Sequence, residues 1–163
     1  MNLSDKGLEW LKGVERLHLK PYDDQTGKPL ASWNKGATIG YGHLISRSEW
    51  DQYKNGITKT EAEALLQKDL ARFVAAARKV RPKLKAHEFD AVVIFAYNIG
   101  VEAFMGSTVF KMLDNPSFKS TVYPTLEAAW KAWNKSQGKV MKGLDNRRAA
   151  EWDMYSRGIY RYW

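Results

Sequence analysis

The chain has no cysteine and few histidines. Without cysteine it forms neither disulfides nor thiolate metal sites, and its chemistry does not depend on the redox state of a thiol. The three histidines are His18, His43 and His87, and no two of them are four residues apart, so a zinc motif of the H-E-x-x-H kind is absent. We therefore expect neither a metal nor a cofactor.

Long hydrophobic runs are also missing. No stretch of about 18 consecutive apolar residues occurs, so we predict no membrane span. The first residues, MNLSDKGLEWLKGVERL, mix charged side chains with apolar ones and lack a continuous apolar segment followed by a small-residue cleavage site. A secretory signal peptide is therefore not predicted.

What is present is an ordinary globular composition with a strong positive charge. Hydrophobic residues make up 44% and charged residues 27% of the 163 residues, which predicts a folded protein of one domain or two closely joined lobes. The net charge of +8 indicates an acidic partner. Nucleic acid, anionic lipid and an anionic cell-wall polymer all fit, and charge alone does not separate them.

The first third of the chain predicts a helix followed by hairpins. Ser4 is the expected N-cap of an amphipathic helix from residue 5 to about residue 16. From Pro21 to Gly56, recurrent glycines separate short β-prone segments, a pattern typical of hairpins. Thr58 and Glu61 then have the spacing of a capping box at the start of the next helix.

The rest of the chain is helical in pattern. The helix that starts at the capping box is expected to cover residues 59–81, long enough to bridge two lobes, and Pro82 marks the next boundary. Gly100 is a predicted helix stop. Further helices are expected around residues 108–113, 125–134 and 146–155.

These patterns predict an α+β protein with a single two-lobed domain. The N-terminal lobe, with its β-hairpins, is expected at about residues 14–58, and the bridging helix at about 59–81. The helical C-terminal lobe is expected at about 82–163, with the helix in residues 1–13 packed against it.

Three acidic residues near the first helix are candidates for chemistry. Glu15 falls near the end of that helix, where partial burial would favour the protonated carboxyl and suit a general acid. A solvated surface glutamate is the simpler interpretation. Asp23 and Asp24 lie in an Asp-Asp-Gln-Thr-Gly segment that turn formation alone explains. Paired carboxylates on either side of a cleft are nevertheless what glycosidic cleavage requires.

A glycine-rich segment, GATIGYGHL, occupies residues 36–44. It lacks the Gly-Lys-[Ser/Thr] ending of a phosphate-binding loop. Together with Glu15 nine positions before Asp24, it resembles the active-site segment of the phage-type lysozymes of glycoside hydrolase family 24, as in T-even and lambdoid phages. Further similar segments are Ile57–Glu63, Phe89–Gly100 with Phe104 and Ser107–Thr108, and Gly143–Arg148 with Glu151. The resemblance spans nearly the whole chain and implies a lysozyme-like fold.

The resemblance also implies a set of catalytic roles. Glu15 takes the place of the general acid, Asp24 that of the carboxylate that directs a water molecule, and Thr38 that of the threonine that helps to place this water. Asp24 is preferred over Asp23 because the family has the same nine-position spacing from the glutamate.

This chain departs from the family between the aspartate and the threonine. The family's commoner form has a much shorter segment there, whereas residues 25–37 separate Asp24 from Thr38 here. We interpret the extra residues as a longer hairpin tip, and they leave Thr26 as a rival for the threonine role. Trp33 on this tip is expected either to contact a sugar ring or simply to be exposed.

Further positions match the family outside the catalytic segment. Leu44, Tyr97, Asn98 and Ser107 match residues that line the saccharide cleft, although ordinary packing and helix capping explain them equally well. His43 is not expected to be catalytic, because the resemblance implies a structural ion pair between this histidine and Asp69 on the bridging helix.

The implied activity is that of an endolysin muramidase, a glycoside hydrolase of the lysozyme class that cleaves the β-1,4 bond between N-acetylmuramic acid and N-acetylglucosamine in peptidoglycan and lyses the host cell. A lytic transglycosylase of the same fold is the first alternative. A basic nucleic-acid-binding module is the second, although the basic residues are spread through every segment and no groove-reading motif occurs.

The expected partner is bacterial peptidoglycan, with no specific nucleic acid and no transmembrane anchor, and the protein is expected to be a monomer. We expect it to wait in the host cytoplasm until a holin-type membrane protein releases it to the wall. The aromatic and basic C-terminal tail, residues 154–163, is expected to pack on the helical lobe; weak contact with the anionic envelope is the alternative.

Overall fold

The computed structural model describes residues 1–163, and these form two compact units. The first, here called the helical unit, comprises Met1–Trp10 and Arg72–Trp163. The second, the sheet unit, comprises Leu11–Ala71. The lobe boundaries expected from the sequence stay a prediction.

Helix α1 covers Asp5–Glu15. Ser4 caps it as predicted: the Ser4 hydroxyl accepts a hydrogen bond from the Gly7 N–H (3.0 Å), and the Ser4 carbonyl accepts one from the Leu8 N–H (2.9 Å). Arg16 follows with φ of 60°, a left-handed conformation that stops the helix. Glu15 is therefore the last helical residue.

A three-stranded antiparallel sheet follows, in the order β1-β2-β3. The strands are β1 (His18–Asp23), β2 (Ala37–Gly40) and β3 (His43–Leu44). Tyr22 on β1 is directly opposite Thr38 on β2, and Thr38 is in turn paired with the last residue of β3. The predicted hairpin region is thus confirmed, and the long segment between β1 and β2 is the connection that the sequence singles out.

The sheet unit has its own apolar cluster, and the long connection takes part in it. Leu30 and Trp33 pack against this cluster, which is built on Ala37, Ile39, Ile45 and Tyr53. The Trp33 indole N–H also donates to the Ile45 carbonyl oxygen at 2.9 Å. The Trp33 ring is thus partly buried rather than simply exposed, and its packing stabilises the connection on the sheet. Contact of this ring with a sugar stays a prediction.

A short helical segment, which the sequence did not predict, lies after the sheet. It consists of a 3₁₀ turn at Arg47–Glu49 and helix α2 at Trp50–Tyr53. The Ser46 N–H donates to the Glu49 carboxylate at 2.9 Å, which starts the turn. Both elements are too short to produce a helical periodicity in the sequence, and for this reason the sequence pattern does not predict them.

Helix α3 covers Lys59–Ala77. Its capping box is confirmed, since the Thr58 N–H donates to the Glu61 carboxylate (3.0 Å) and the Glu61 N–H donates to the Thr58 hydroxyl (3.1 Å). The helix ends before the predicted residue 81. Lys79 and Val80 form hydrogen bonds three residues back rather than four, so the chain tightens out of α-helix. Val80 remains buried, which is why the apolar pattern continued.

The helical unit is built around helix α4, Ala86–Ile99, whose residues Phe89–Ala96 are buried. Gly100 ends this helix with φ of 98°, as predicted. Short helices α5 (Val101–Met105) and α6 (Thr108–Asp114) follow.

The last elements differ from the sequence prediction in their bounds. Helix α7 covers only Leu126–Lys131 rather than residues 125–134, because a small hairpin, β4 (Lys135–Ser136) and β5 (Lys139–Val140), follows at once. Helix α8 covers Lys142–Arg157, longer than the predicted 146–155, and Gly158 ends it in a left-handed conformation.

The C-terminal tail packs within the helical unit. The Tyr160 hydroxyl donates to the buried Asp90 carboxylate at 2.6 Å. The Trp10 indole N–H donates to the Arg161 carbonyl oxygen at 2.8 Å, and the Trp10 ring stacks on Tyr162 with centroids 5.9 Å apart. The packed interpretation of the tail is thus confirmed, while contact with an anionic envelope stays a prediction.

Candidate active site

The negative charges of the two candidate catalytic carboxylates, Glu15 and Asp24, both affect the pKa of one tyrosine in the sheet unit, Tyr22. Burial raises the pKa of Tyr22, and the negative charges of Glu15 and Asp24 raise it further. Tyr22 is also directly opposite Thr38, the third predicted catalytic residue, in the sheet. Glu15 itself is half-buried at the end of α1.

Asp24 follows the last residue of β1 and is held by its backbone. Its N–H donates to the Gly36 carbonyl oxygen at 3.0 Å, while its carboxylate accepts a bond from the Gln25 side-chain amide at 3.3 Å. Partial desolvation raises the pKa of the Asp24 carboxyl, and the charge of Asp23 raises it further, against the lowering effect of the Gln25 hydrogen bond. A carboxylate whose pKa is raised in this way is a stronger proton acceptor.

Thr38 is buried in the middle of the sheet, with 4% of its surface exposed. Its hydroxyl donates to the Gly36 carbonyl oxygen at 2.9 Å. The same oxygen accepts the Asp24 N–H, so one peptide group links the two residues. The rival, Thr26, is exposed in the turn after β1, where its hydroxyl accepts the Lys28 N–H at 3.3 Å.

Asp23 has the contacts of a turn residue. One of its carboxylate oxygens accepts the Gln25 N–H at 2.9 Å, and the other accepts the Asn34 side-chain amide at 3.0 Å. The Asp23 carbonyl accepts the Gly27 N–H at 2.7 Å, which closes the turn. Both oxygens of this carboxylate are therefore engaged by the protein, in contrast to those of Asp24.

Gly36 is required between these groups for steric reasons. A Cβ atom at this position would lie 2.5 Å from a carboxylate oxygen of Asp23 and 2.6 Å from one of Asp24. A Cβ atom does not approach an unbonded heavy atom this closely, so any side chain at position 36 would displace the carboxylates. Sequence reasoning did not select Gly36 or Asn34; the turn pattern Asn-Lys-Gly just before β2 was the available signal.

His43 forms the predicted ion pair. Its ring Nδ1 lies 2.7 Å from the Asp69 carboxylate, and its Nε2 lies 3.4 Å from Glu49. Burial alone would lower the pKa of His43, but the hydrogen bonds and charges of the two carboxylates, chiefly those of Asp69, raise it above its ordinary value. The histidine is thus charged more readily than a free one and ties β3 to α3.

The four candidate saccharide-binding residues are divided between the units. Leu44 lies in the sheet unit, where 58% of its surface is exposed beside Thr38. Tyr97, Asn98 and Ser107 lie in the helical unit. The Tyr97 ring packs edge-on against Phe73, with centroids 4.9 Å apart.

Ser107 and Asn98 have different contacts within the helical unit. The Ser107 hydroxyl is buried, accepts the Phe110 N–H at 3.0 Å as the N-cap of α6, and donates to the Phe104 carbonyl oxygen at 2.7 Å. Asn98 is exposed, and its side-chain oxygen accepts a hydrogen bond from the Arg148 guanidinium. Helix capping therefore accounts for Ser107, whereas Asn98 still presents its amide N–H groups.

A buried polar network holds Arg148 in place. Its guanidinium lies 3.0 Å from the Glu151 carboxylate, which also accepts bonds from Arg147 (3.0 Å) and from the Trp130 indole N–H (3.1 Å). Both Arg148 and Glu151 are fully buried, so the several interactions with Glu151 are needed to offset the lost hydration of these charges. The network fixes the guanidinium that donates to the Asn98 side-chain oxygen.

Residues 1–163 contain neither a cluster of metal-binding side chains nor a membrane-spanning helix. No group of three or more histidine, cysteine, aspartate or glutamate side chains has the arrangement needed to hold a metal ion. No helix has both the length and the apolar character that crossing a membrane requires.

Comparison with known proteins identifies relatives along nearly the whole chain. A family model described as phage lysozyme matches residues 12–151. The chain is 35% identical over 159 residues to an endolysin of Bacillus phage PZA, a match that covers 97% of this chain and 56% of that protein. The chain thus spans about half the length of this relative, and a related endolysin of Bacillus phage B103 gives a similar share, 55%.

Solved structures agree on the fold. An endolysin from Escherichia coli O157:H7 phage FAHEc1 superposes with a TM-score of 0.74 at 32% identity, covering 99% of this chain and 97% of that chain. The muramidase domain of SpmX from Asticaccaulis excentricus superposes with a TM-score of 0.73 at 28% identity, covering 95% and 97%. The predicted lysozyme-like α+β fold is confirmed.

Proposed function

The chain belongs to the phage lysozyme family, and on this premise we propose that it is a muramidase of the bacterial cell wall. It hydrolyses the β-1,4 bond between N-acetylmuramic acid and N-acetylglucosamine in peptidoglycan. The family supports a wall-lytic glycosidase, and a similar solved structure is described as a muramidase domain. The choice of hydrolysis over other cleavage chemistry rests on the arrangement around Asp24.

The observation that carries this choice is the shared carbonyl oxygen of Gly36. It accepts the Thr38 hydroxyl hydrogen and the Asp24 backbone N–H. Since that hydrogen is already donated, the Thr38 oxygen is left to accept a hydrogen bond. The carboxylate of Asp24, the residue linked to Thr38 through this carbonyl, also accepts hydrogen bonds. A water molecule bound by both would direct its two hydrogens to Thr38 and Asp24 and its lone pair away from them.

This arrangement fits hydrolysis by direct displacement. Glu15 donates its proton to the glycosidic oxygen as the bond to the muramic acid C1 breaks, and the glucosamine leaves with a free hydroxyl. The water oxygen bonds to C1, and its proton passes to Asp24. Attack from the face opposite the leaving group inverts the configuration at C1. The raised pKa of Asp24 favours its part as proton acceptor.

We assign the threonine role to Thr38 rather than Thr26. Thr38 is buried and shares a hydrogen-bond acceptor with Asp24, so its hydroxyl is fixed relative to that residue. Thr26 is exposed in a turn and contacts Lys28. A water-positioning group has to be rigid, because misplacement by about 1 Å can cost roughly a hundredfold in rate.

For the saccharide we propose contacts with Leu44, Tyr97 and Asn98. Because Arg148 engages the Asn98 side-chain oxygen, the amide N–H groups are oriented to donate to an acetamido or hydroxyl oxygen. For Ser107 we propose a supporting role, since its hydroxyl already donates and accepts within the protein.

The net charge of +8 fits a polyanionic wall. Exposed charges that attract such a polymer are screened by salt with a Debye length of about 8 Å at physiological ionic strength. Rising salt therefore weakens attachment to intact walls more than it affects turnover of short neutral fragments.

Analysis of the products tests the proposal. Purified peptidoglycan digested to completion should yield fragments that end in reducing N-acetylmuramic acid, with inverted configuration at C1 immediately after cleavage. A 1,6-anhydro end would instead establish a lytic transglycosylase, which uses a glutamate without a water-directing aspartate. If peptidoglycan is not degraded at all, the basic nucleic-acid-binding alternative becomes the one to test.

A further inference from the structure

The connection between Asp24 and β2 is a folded element of the sheet unit rather than a loose tip. Here residues 25–36 are called the connecting segment. The Leu30 N–H donates to the Pro21 carbonyl oxygen at 3.2 Å, and the Trp33 indole N–H donates to Ile45 at 2.9 Å. Both side chains also pack on the apolar cluster. The residue that follows Trp33 is therefore held in a defined place.

That residue, Asn34, uses both ends of its side-chain amide. The NH₂ group donates to the Asp23 carboxylate at 3.0 Å, and the oxygen accepts the Gly36 N–H at 2.9 Å. Reversing the amide would set its oxygen against a carboxylate and its NH₂ group against an N–H, so only one orientation is allowed. Asn34 thus connects β1 to the peptide that precedes β2.

Gly36 links the Asn34 side chain to two of the predicted catalytic residues, Asp24 and Thr38. The Asn34 side-chain oxygen accepts the Gly36 N–H, and the Gly36 carbonyl oxygen accepts both the Asp24 N–H and the Thr38 hydroxyl hydrogen. Movement of this residue moves both groups, and the absence of a Cβ lets the carboxylates approach closely. One side chain is therefore linked to both residues of the pair through a single glycine.

We propose that Asn34 is a positioning residue of the active site, which holds Asp24 and Thr38 in the geometry that orients the attacking water. Asn34 acts through Asp23 and Gly36 and does not touch the substrate. This inference rests on the proposed function, since it requires Asp24 to take part in the reaction. It also gives a role to the long connecting segment, whose partly buried Trp33 fixes the position of Asn34.

The first test separates positioning from binding. Asn34→Ala should lower kcat on soluble peptidoglycan fragments about tenfold, with KM unchanged within about twofold, because a displaced water affects the reaction rather than substrate contact. Asn34→Asp retains the size and the acceptor for Gly36 but loses the donor to Asp23, and it should lower kcat similarly. Ser32→Ala, an exposed position in the same segment, is the matched control with unchanged kcat.

The second test is a double-mutant cycle with Asp24→Ala. That variant alone should lose roughly a thousandfold in kcat. If Asn34 acts through Asp24, adding Asn34→Ala to Asp24→Ala should lower kcat by less than about threefold more. A general loosening of the fold would multiply the two losses and would lower the melting temperature of Asn34→Ala well below that of Ser32→Ala.

The outcomes distinguish a failure of the proposed mechanism from a failure of the Asn34 positioning role alone. Near wild-type activity of Asp24→Ala would overturn the assigned mechanism, and the role of Asn34 with it. A severe Asp24→Ala loss would leave the mechanism standing. In that case, wild-type kcat in Asn34→Ala, or multiplied losses in the double variant, would overturn the positioning role alone.

Discussion

The His43 ring lies 2.7 Å from the Asp69 carboxylate, and this ion pair joins strand β3 to helix α3 within the sheet unit. Both side chains are largely buried, with 12% and 8% exposed. The pair therefore stabilises the fold around the glycine-rich segment without supplying a catalytic group. Its protonation state makes the stability of the sheet unit depend on pH.

We predict that the free energy of unfolding falls as the pH rises above the ordinary pKa of histidine, about 6.5. The folded-state pKa of His43 is raised above its unfolded value, which is about 6.5. The stabilisation is therefore complete below that unfolded value and is lost as pH rises through the folded value. Urea unfolding between about pH 6 and pH 9 measures this. His43→Gln should flatten the curve; the same pH slope in both proteins would contradict the ion-pair account.

Glu15→Gln should abolish wall clearing while leaving the fold intact. The change removes the proton that the leaving oxygen requires but alters the volume little, so a loss of at least about a hundredfold in rate is expected. Turbidity of a suspension of purified walls measures the rate. Glu9→Gln is the matched control, because it makes the same substitution at an exposed position on the same helix. Substantial activity in Glu15→Gln would remove the general acid from the mechanism.

The two threonines should respond differently to loss of the hydroxyl. Thr38→Val keeps the shape of a buried β-branched side chain but removes the oxygen that accepts the water, and we expect kcat to fall roughly ten- to hundredfold. Thr26→Val, in the exposed turn, should have nearly wild-type kcat. Steady-state kinetics on soluble fragments compares them, and the reverse order of effects would assign the role to Thr26.

Gly36→Ala should damage both stability and activity. The added methyl group would clash with the carboxylates of Asp23 and Asp24, and relief requires moving residues that the mechanism needs in place. A destabilisation of about 1–3 kcal/mol is expected, together with a lower kcat. Gly143→Ala is the control, since a methyl group there meets open space. Equal melting temperatures and rates in the two variants would show that the carboxylates move aside freely.

Local signals in the sequence were sufficient for several elements. Ser4 and the Thr58–Glu61 pair form the caps expected of them, because capping depends on side chains within one helical turn. Gly100 ends α4 for a similarly local reason, its positive φ. The end of α3 was overestimated because Val80 continues the apolar pattern after the helix has ended.

The family pattern, rather than periodicity, selected Glu15, Asp24 and Thr38. The residues alone allowed a surface glutamate and an ordinary Asp-Asp turn. The contacts of Asp23 and Asp24 in the structure differ: both oxygens of Asp23 are engaged in the turn, whereas Asp24 is held mainly by its backbone. Two adjacent aspartates can be distinguished only by the groups that each of them contacts in the folded chain.

The sequence by itself determined the α+β class, the caps and the phage lysozyme family, since these depend on composition, on neighbours within a few residues and on short motifs. Only the tertiary structure decided the path of residues 25–36, the packing of Trp33 against the apolar cluster and the place of Asn34 between Asp23 and Gly36. The physical reason is that these contacts join residues on different strands. Their energies depend on which groups the folded chain brings together, and neither spacing nor residue type records that.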